Sequence, residues 1–301
     1  MKTVKVKGQE IVVPNSSAFS INTNPMLLKA HQNMIVLGKR GSGKSVAITN
    51  YLRFLQEDKK LDRIFVISPT FHSNKVLMDD LGIDENDVFD PATGSAAVEN
   101  VVKEIEAERD EYEEYLRAKE RFKTLMKDMN SLAFVEMVDA KLMLEFFDQS
   151  KGIFMAPEPK YGHAGKPIMA LFVDDCQSTP LFKSQKFLNF ITRHRHIGAF
   201  KEGGALGTSV FIALQNFADR NGGCPRSVRN NATSICCFSL KDKKELTQVY
   251  ESVAGEIEEE QFMQAFEYAT IEPHNFLLID LHPKPEHPSM FRKNFNEFIV
   301  L

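Results

Sequence analysis

The segment Gly38–Ser45 constrains the fold more than any other part of this chain. It reads GKRGSGKS and matches the pattern G-x-x-x-x-G-K-[S/T] in full. The apolar run MIVL precedes it at 34–37, and a helical pattern follows from Lys44 to about Gln56. A glycine-rich turn between a strand and a helix directs backbone N–H groups and the positive helix end at an anion. The segment therefore predicts a P-loop that holds the phosphates of a nucleotide.

Within this loop, two side chains have specific predicted tasks. Lys44 is expected to reach the β- and γ-phosphates of ATP, and the Ser45 hydroxyl is expected to bind Mg²⁺. The predicted nucleotide-binding residues are Gly38, Lys39, Arg40, Gly41, Ser42, Gly43, Lys44 and Ser45.

Further apolar runs alternate with helical patterns along the rest of the chain. They predict strands at RIFVISP (63–69), IMALFVDD (168–175), TSVFIALQ (208–215), SICCFSL (234–240) and FLLIDL (276–281). Such alternation predicts an α/β fold of the P-loop NTPase type (RecA/ASCE-like), with a parallel sheet and helices on both faces.

Two segments depart from this alternation. Residues 1–30 alternate in short apolar stretches and predict an N-terminal β ribbon, which leaves 31–301 as the P-loop ATPase domain. Between about 95 and 149, apolar residues recur every three or four positions in charged surroundings, with a break near Asn130–Ser131. This pattern predicts a helical hairpin inserted between two strands of the sheet.

Polar side chains follow two of the predicted strands. Asp174 and Asp175 end IMALFVDD, and Gln215 ends TSVFIALQ. The carboxyl ends of parallel strands form the ligand-binding edge of such a sheet. Asp174 is therefore expected to support Mg²⁺, and Asp175 to polarise a water molecule for attack on the γ-phosphate. Gln215 is expected to contact the γ-phosphate and that water.

Charge and cysteine content narrow the class of protein. A formal net charge of −4 argues against coating of nucleic acid by bulk electrostatics, but it leaves room for a basic patch on one face. Four cysteines without C-x-x-C spacing predict reduced thiols in a soluble protein, and the sequence contains no predicted transmembrane segment.

An arginine finger neutralises the charge that builds up on a transferring phosphoryl group. The candidates for this role are Arg193, Arg195, Arg226 and Arg229.

Taken in order, these segments resemble the FtsK–HerA superfamily of P-loop ATPases. The motifs that carry the resemblance are GKRGSGKS, LFVDD, TRHRHI, FIALQN and RSVRNNA, spread over about residues 30–301. The likeness is greatest to the viral branch, the genome-packaging ATPases of poxviruses, other large DNA viruses and virophages.

The resemblance implies an ATPase that moves double-stranded DNA into a capsid. By it, Lys44 and Ser45 hold MgATP, Asp175 is the catalytic acidic residue, and Gln215 is the sensor glutamine. Arg193 matches the family arginine that acts in trans on the nucleotide of a neighbouring subunit. It also implies a homo-oligomeric ring (a pentamer or hexamer), contact with capsid or portal-vertex proteins, and residence in the virion or the viral factory.

The chain departs from the family pattern at two places. Cellular members usually carry Glu where Asp175 stands, and the glycine-rich stretch HIGAFKEGGALGTS lengthens the connection before the Gln215 strand. Lys201 in that stretch is a candidate DNA-phosphate contact. Two other functions stay open at this stage: a P-loop small-molecule or nucleoside kinase, and a nucleotide-bound virion assembly protein that does not translocate DNA.

Overall fold

A nine-stranded mixed sheet forms the centre of the protein. The computed structural model describes residues 21, 23–70, 79–129, 140–217 and 223–301. Its strands are β1 (Asn33–Leu37), β2 (Arg63–Ile67), β3 (Val88–Phe89), β4 (Phe147–Asp148), β5 (Ile153–Phe154), β6 (Met169–Val173), β7 (Thr208–Leu214), β8 (Ser234–Phe238), β9 (Phe276–Asp280), β10 (Phe291–Lys293) and β11 (Glu297–Ile299). Strands β4 and β5 pair separately as a small hairpin.

The strand order is β11-β10-β9-β8-β1-β7-β6-β2-β3. The six strands from β8 to β3 are parallel, as predicted. Strands β9, β10 and β11 are antiparallel to their neighbours. The prediction of a parallel sheet did not include these antiparallel strands. The links from β9 to β10 and from β10 to β11 contain no crossover helix, and a parallel pairing needs one.

The helices are α1 (Lys44–Glu57), α2 (Ser95–Met129), α3 (Ala140–Phe146), α4 (Pro180–Lys183), α5 (Gln185–Arg193), α6 (Arg226–Asn230), α7 (Lys243–Glu251) and α8 (Glu259–Thr270). They cover both faces of the sheet. Alternate residues of β1 therefore belong to two different cores, one on each face. Met34 and Val36 pack with α1, whereas Ile35 and Leu37 pack with α2 and α5 to α8. A strand that is covered on both faces reads as a continuous apolar run, which is why these strands were recognisable in the sequence.

The predicted helical insertion begins with a single helix of 35 residues, α2. Its first turns pack on the sheet through Val98, Val101 and Ile105, and farther along Leu125 is buried. Phe122 makes an edge contact with Phe146 of α3, at a ring-centroid distance of 5.3 Å. The predicted break near Asn130–Ser131 and the strands of the N-terminal ribbon lie outside the described residues. None of the helices in the described part of the chain has the length and apolar character to cross a bilayer.

Candidate nucleotide site

The loop after β1 has the backbone geometry of an anion cradle. The Gly38 N–H donates to the Leu214 carbonyl at 3.0 Å, which ties the loop to the end of β7. Gly41 and Gly43 have φ angles of 78° and 105°, in the left-handed region that favours glycine. Within the described residues, the buried Ser42 hydroxyl has no hydrogen-bond partner. An unpartnered hydroxyl donor in a glycine-rich loop of this kind fits a bound phosphate.

Lys44 and Ser45 begin α1 and face the end of β6. The Lys44 ammonium donates to the Lys39 carbonyl at 3.2 Å, and the Ser45 hydroxyl donates to Asp174 Oδ2 at 2.8 Å. Burial lowers the pKa of Lys44, and the carboxylates of Asp174 and Asp175 oppose that shift. Burial likewise raises the pKa of Asp174, whose bond from Ser45 favours the charged form. A hydroxyl paired with a buried carboxylate is a donor set that Mg²⁺ accepts.

The two predicted catalytic side chains at the strand ends are in contact. Gln215 Nε2 lies 3.4 Å from Asp175 Oδ1. The contact is possible because β7 lies between β1 and β6 in the sheet, so Gln215 follows a strand adjacent to both loops. Asp175 has a φ of 51°, and this left-handed turn separates its exposed carboxylate from the buried Asp174 beneath it.

Lys39 and Arg40, two predicted nucleotide contacts, take different positions. Arg40 lines the cavity above the loop. The Lys39 ammonium instead lies 3.3 Å from Glu245 Oε2 on α7, and it donates to the Gln215 carbonyl at 3.4 Å and to Asn216 Oδ1 at 3.3 Å. Lys39 therefore joins the P-loop to the end of β7. A contact between Lys39 and the nucleotide stays a prediction.

The cavity extends from the P-loop along α1 and has a volume of about 790 Å³. Its far wall was not predicted, because no motif marks it. Phe295 forms part of this wall and packs on Tyr51 and Phe276, with ring centroids 4.9 Å apart in each case. His274 holds the near side, with Nδ1 at 3.1 Å from the Ser42 carbonyl. The lining residues outside the predicted set are Val46, Ala47, Asn50, Phe54, Phe238, His274, Asn275, Phe276, Asn294, Phe295 and Asn296.

Arg193 lies far from the nucleotide cavity of its own chain. It ends α5, and the next residue, His194, has Nδ1 at 2.8 Å from the carbonyl of Thr208, the first residue of β7. Arg193 is therefore at the amino edge of the sheet, and the seven residues of β7, about 23 Å of strand, separate that edge from Gln215. Any role of Arg193 in catalysis needs a second subunit.

Lys201 lies on the same amino edge. Its backbone N–H lies 3.3 Å from Glu113 Oε1 of α2, and its side chain is exposed. The Arg109 guanidinium supports the start of this loop through the Ala199 carbonyl at 3.5 Å. The loop therefore rests on the helical insertion.

One protein family matches part of the sequence. The family described as "P-loop containing dynein motor region" matches residues 2–115, which is less than half of the chain. This stretch includes β1, the P-loop and α1. No curated protein matches the sequence.

Several solved structures are similar to most of the chain at low identity. The genome packaging NTPase B204 from Sulfolobus turreted icosahedral virus 2, in complex with ATP-gammaS, has a TM-score of 0.45 and 13% identity, over 87% of this chain and 95% of that one. EssC (ATPases 2 and 3) from Geobacillus thermodenitrificans has a TM-score of 0.43 and 12% identity, over 83% of this chain and 38% of that one. The pCW3 conjugation coupling protein TcpA has a TM-score of 0.37 and 15% identity, over 81% and 56%.

These neighbours include a genome packaging NTPase, the class of protein that the motifs resemble. The nucleotide site stands on its own geometry, and that geometry is a P-loop at the carboxyl edge of a mostly parallel sheet.

Proposed function

We propose that this protein is an ATP-hydrolysing double-stranded DNA translocase that packages a viral genome into its capsid. The observation that supports hydrolysis is the contact between Asp175 and Gln215 beside the cavity that Lys44 and Ser45 line. A carboxylate that accepts a proton and an amide that orients water suit attack by water on a γ-phosphate.

In this proposal Lys44 binds the β- and γ-phosphates of ATP, and Ser45 with Asp174 holds Mg²⁺. When bound, Mg²⁺ supplies charge neutralisation at the transferring phosphoryl group. Asp175 accepts the proton of the attacking water, and Gln215 keeps that water aligned. The left-handed backbone at Asp175 supports this division of roles, because it turns two adjacent carboxylates to different positions.

The DNA part of the proposal is supported by the motif resemblance and by the amino edge of the sheet. Arg195 and Lys201 are exposed there, away from the nucleotide cavity of the same chain. Cations that contact phosphates suit a motor, since phosphate contacts are independent of sequence. A pentameric or hexameric ring would bring Arg193 to the nucleotide of the next subunit, and the ring would dock on capsid or portal-vertex proteins in the virion or viral factory.

The test is Asp175→Asn, assayed for ATP turnover and nucleotide binding with and without long duplex DNA. Asn tolerates the left-handed backbone and retains an oxygen for Gln215, so the substitution removes the negative charge and the proton acceptor with little change of shape. We expect turnover to fall by roughly 10²- to 10⁴-fold, with nucleotide affinity largely retained. Asp84→Asn is the matched control, because Asp84 is an exposed capping residue that Asn replaces well.

The outcomes separate the competing functions. DNA-stimulated phosphate release that Asp175→Asn abolishes supports the motor. Phosphate transfer to a small acceptor, with no response to DNA, would identify a kinase. Equal virion assembly by the parent chain and by Asp175→Asn would identify an assembly protein that does not depend on hydrolysis.

A further inference from the structure

A single side chain, Gln177, holds the end of β7 against the loop that carries Asp175. Its Oε1 accepts from the Gln215 N–H and, at 3.1 Å, from the Asn216 N–H. Its Nε2 donates to the Asn216 carbonyl at 2.8 Å. β7 ends at Leu214, so these backbone groups have left the sheet ladder. Gln177 supplies the partners that the ladder no longer provides.

The loop that carries Gln177 is itself firmly anchored. The buried Cys176 Sγ lies 3.2 Å from the Ile67 carbonyl oxygen and 3.1 Å from the Asp174 carbonyl oxygen, and its single S–H is shared between these two acceptors. The Thr179 hydroxyl donates to the Cys176 carbonyl at 2.7 Å. These anchors hold two non-glycine residues in the left-handed region, Asp175 at φ 51° and Ser178 at φ 69°. Conformations of this kind persist where the surroundings enforce them, and they cluster at functional sites.

The Asp175–Gln215 contact, in contrast, is weak on its own. At 3.4 Å between solvent-facing side chains, it lies at the long end of hydrogen-bond distances. The relative position of the two side chains must therefore come from their backbones. Gln177 is two residues from Asp175 in the chain, and it bonds directly to the backbone of Gln215.

We infer that Gln177 is a positioning residue that sets Gln215 against Asp175 for attack by water. This inference rests on the proposed hydrolytic function. Gln177 does not belong to the cavity lining, so its loss misplaces the attacking water while the P-loop and the cavity wall that hold the nucleotide stay in place. The expected signature is a lower kcat at an unchanged nucleotide Kd.

The experiment compares the full chain with Gln177→Met and Gln177→Glu. Met keeps the length of the side chain and removes all three hydrogen bonds, so we expect kcat to fall on the order of 10- to 100-fold, the cost of a small misplacement. The Kd of a fluorescent ATP analogue should stay within about twofold of the parent value. Gln185→Met is the matched control: Gln185 is exposed on α5, and its substitution should change neither quantity.

Gln177→Glu adds a second readout, the pH dependence of kcat, which would not change if Gln177 only filled space. A protonated glutamic acid carries one donor and one acceptor, as the glutamine amide does here, whereas the ionised form has no donor for the Asn216 carbonyl. The ratio of kcat for Gln177→Glu to kcat for the parent should therefore rise as pH falls. If Gln177→Met fails to fold, this ratio carries the test by itself.

Three results would overturn the inference. Parental kcat in Gln177→Met, or a ratio for Gln177→Glu that does not change with pH, would remove the positioning role and leave the hydrolytic function standing. Absence of ATP hydrolysis by the parent chain would overturn both together.

Discussion

Removal of the Phe54 ring tests where the nucleoside part of the ligand lies. Phe54 is on α1, ten residues after Lys44, which is about 15 Å along the helix axis. Its ring lines the cavity and makes an edge contact with Phe295, at a centroid distance of 6.1 Å. If the P-loop holds the phosphates, the base occupies the cavity between these rings and Val46.

The expected magnitude follows from the exposure of the ring. Phe54 is 38% exposed. A phenylalanine side chain buries about 200 Å² when it is fully covered, so about 75 Å² is open to a ligand. At about 25 cal/mol per Å², full coverage by a base contributes about 2 kcal/mol, which is about 25-fold in Kd. A base that covers half of the open area gives about fivefold.

The assay is a titration of Phe54→Ala with a fluorescent ATP analogue, and we expect Kd to rise about 5- to 25-fold with kcat unchanged at saturation. Inorganic tripolyphosphate serves as the second ligand. It has no base, so the substitution should leave its affinity unchanged. The matched control is Phe147→Ala, because Phe147 has the same 38% exposure on β4, outside the cavity.

Two results would refute this assignment of the base site. A Kd for the ATP analogue within about twofold of the parent would show that the ring does not touch the base. An equal loss of tripolyphosphate affinity would show that the substitution damages the P-loop.

Two further predictions concern the amino edge of the sheet. Lys201→Ala should lower DNA-stimulated ATPase and spare basal ATPase, since the lysine is remote from the nucleotide cavity; equal loss of both activities would contradict a DNA contact. His31, which burial and the nearby cations of His194, Arg195 and Lys166 hold at a pKa of about 4, should destabilise the fold in acid. The pKa of His31 is lower in the folded state than in the unfolded state, so its contribution to the free energy of unfolding is intact above about pH 6.5 and is lost as pH falls toward 4. The loss is at most about 3 kcal/mol, because part of the ring reaches solvent. Urea unfolding of His31→Asn should show a shallower acid decline than the parent, whereas exposed His196→Asn should not differ; parallel declines of His31→Asn and the parent would refute the reasoning.

The parallel part of the fold was predictable because its signals are local. The long parallel strands β1, β2, β6, β7 and β8 are predominantly apolar, and the P-loop pattern fixes the turn after β1. The carboxyl-edge rule then placed Asp174, Asp175 and Gln215 near one another without knowledge of strand order. The direction of β9 was not predictable in this way, because FLLID is as buried and apolar as any parallel strand.

The unpredicted parts of the site depend on tertiary contacts. Phe295 joins the cavity only because the short link between β10 and β11 folds over α1. Lys39 is typical of a phosphate ligand in the sequence, but its contact with Glu245 joins residues 206 positions apart. Gln177 follows the aspartate pair by two positions, and its role becomes visible only when β7 ends beside it.

Two short elements, α5 and β7, connect the carboxyl edge of the sheet, which carries Asp175 and Gln215, with the amino edge. On one path, the chain leaves the Asp175 loop, passes through α4 and continues as α5, which ends at Arg193. On the other path, β7 begins at Thr208 and ends at Leu214, the residue before Gln215. The two meet again at the amino edge, where His194 bonds to the Thr208 carbonyl. In the proposed motor, a shift between Asp175 and Gln215 on loss of the γ-phosphate would change the separation of α5 and β7 at one end, while the His194 contact would constrain it at the other. In the proposed motor this geometry connects the nucleotide site to the edge that carries Arg193 and Lys201, and the Lys201→Ala comparison tests the DNA contact at the far end of that connection.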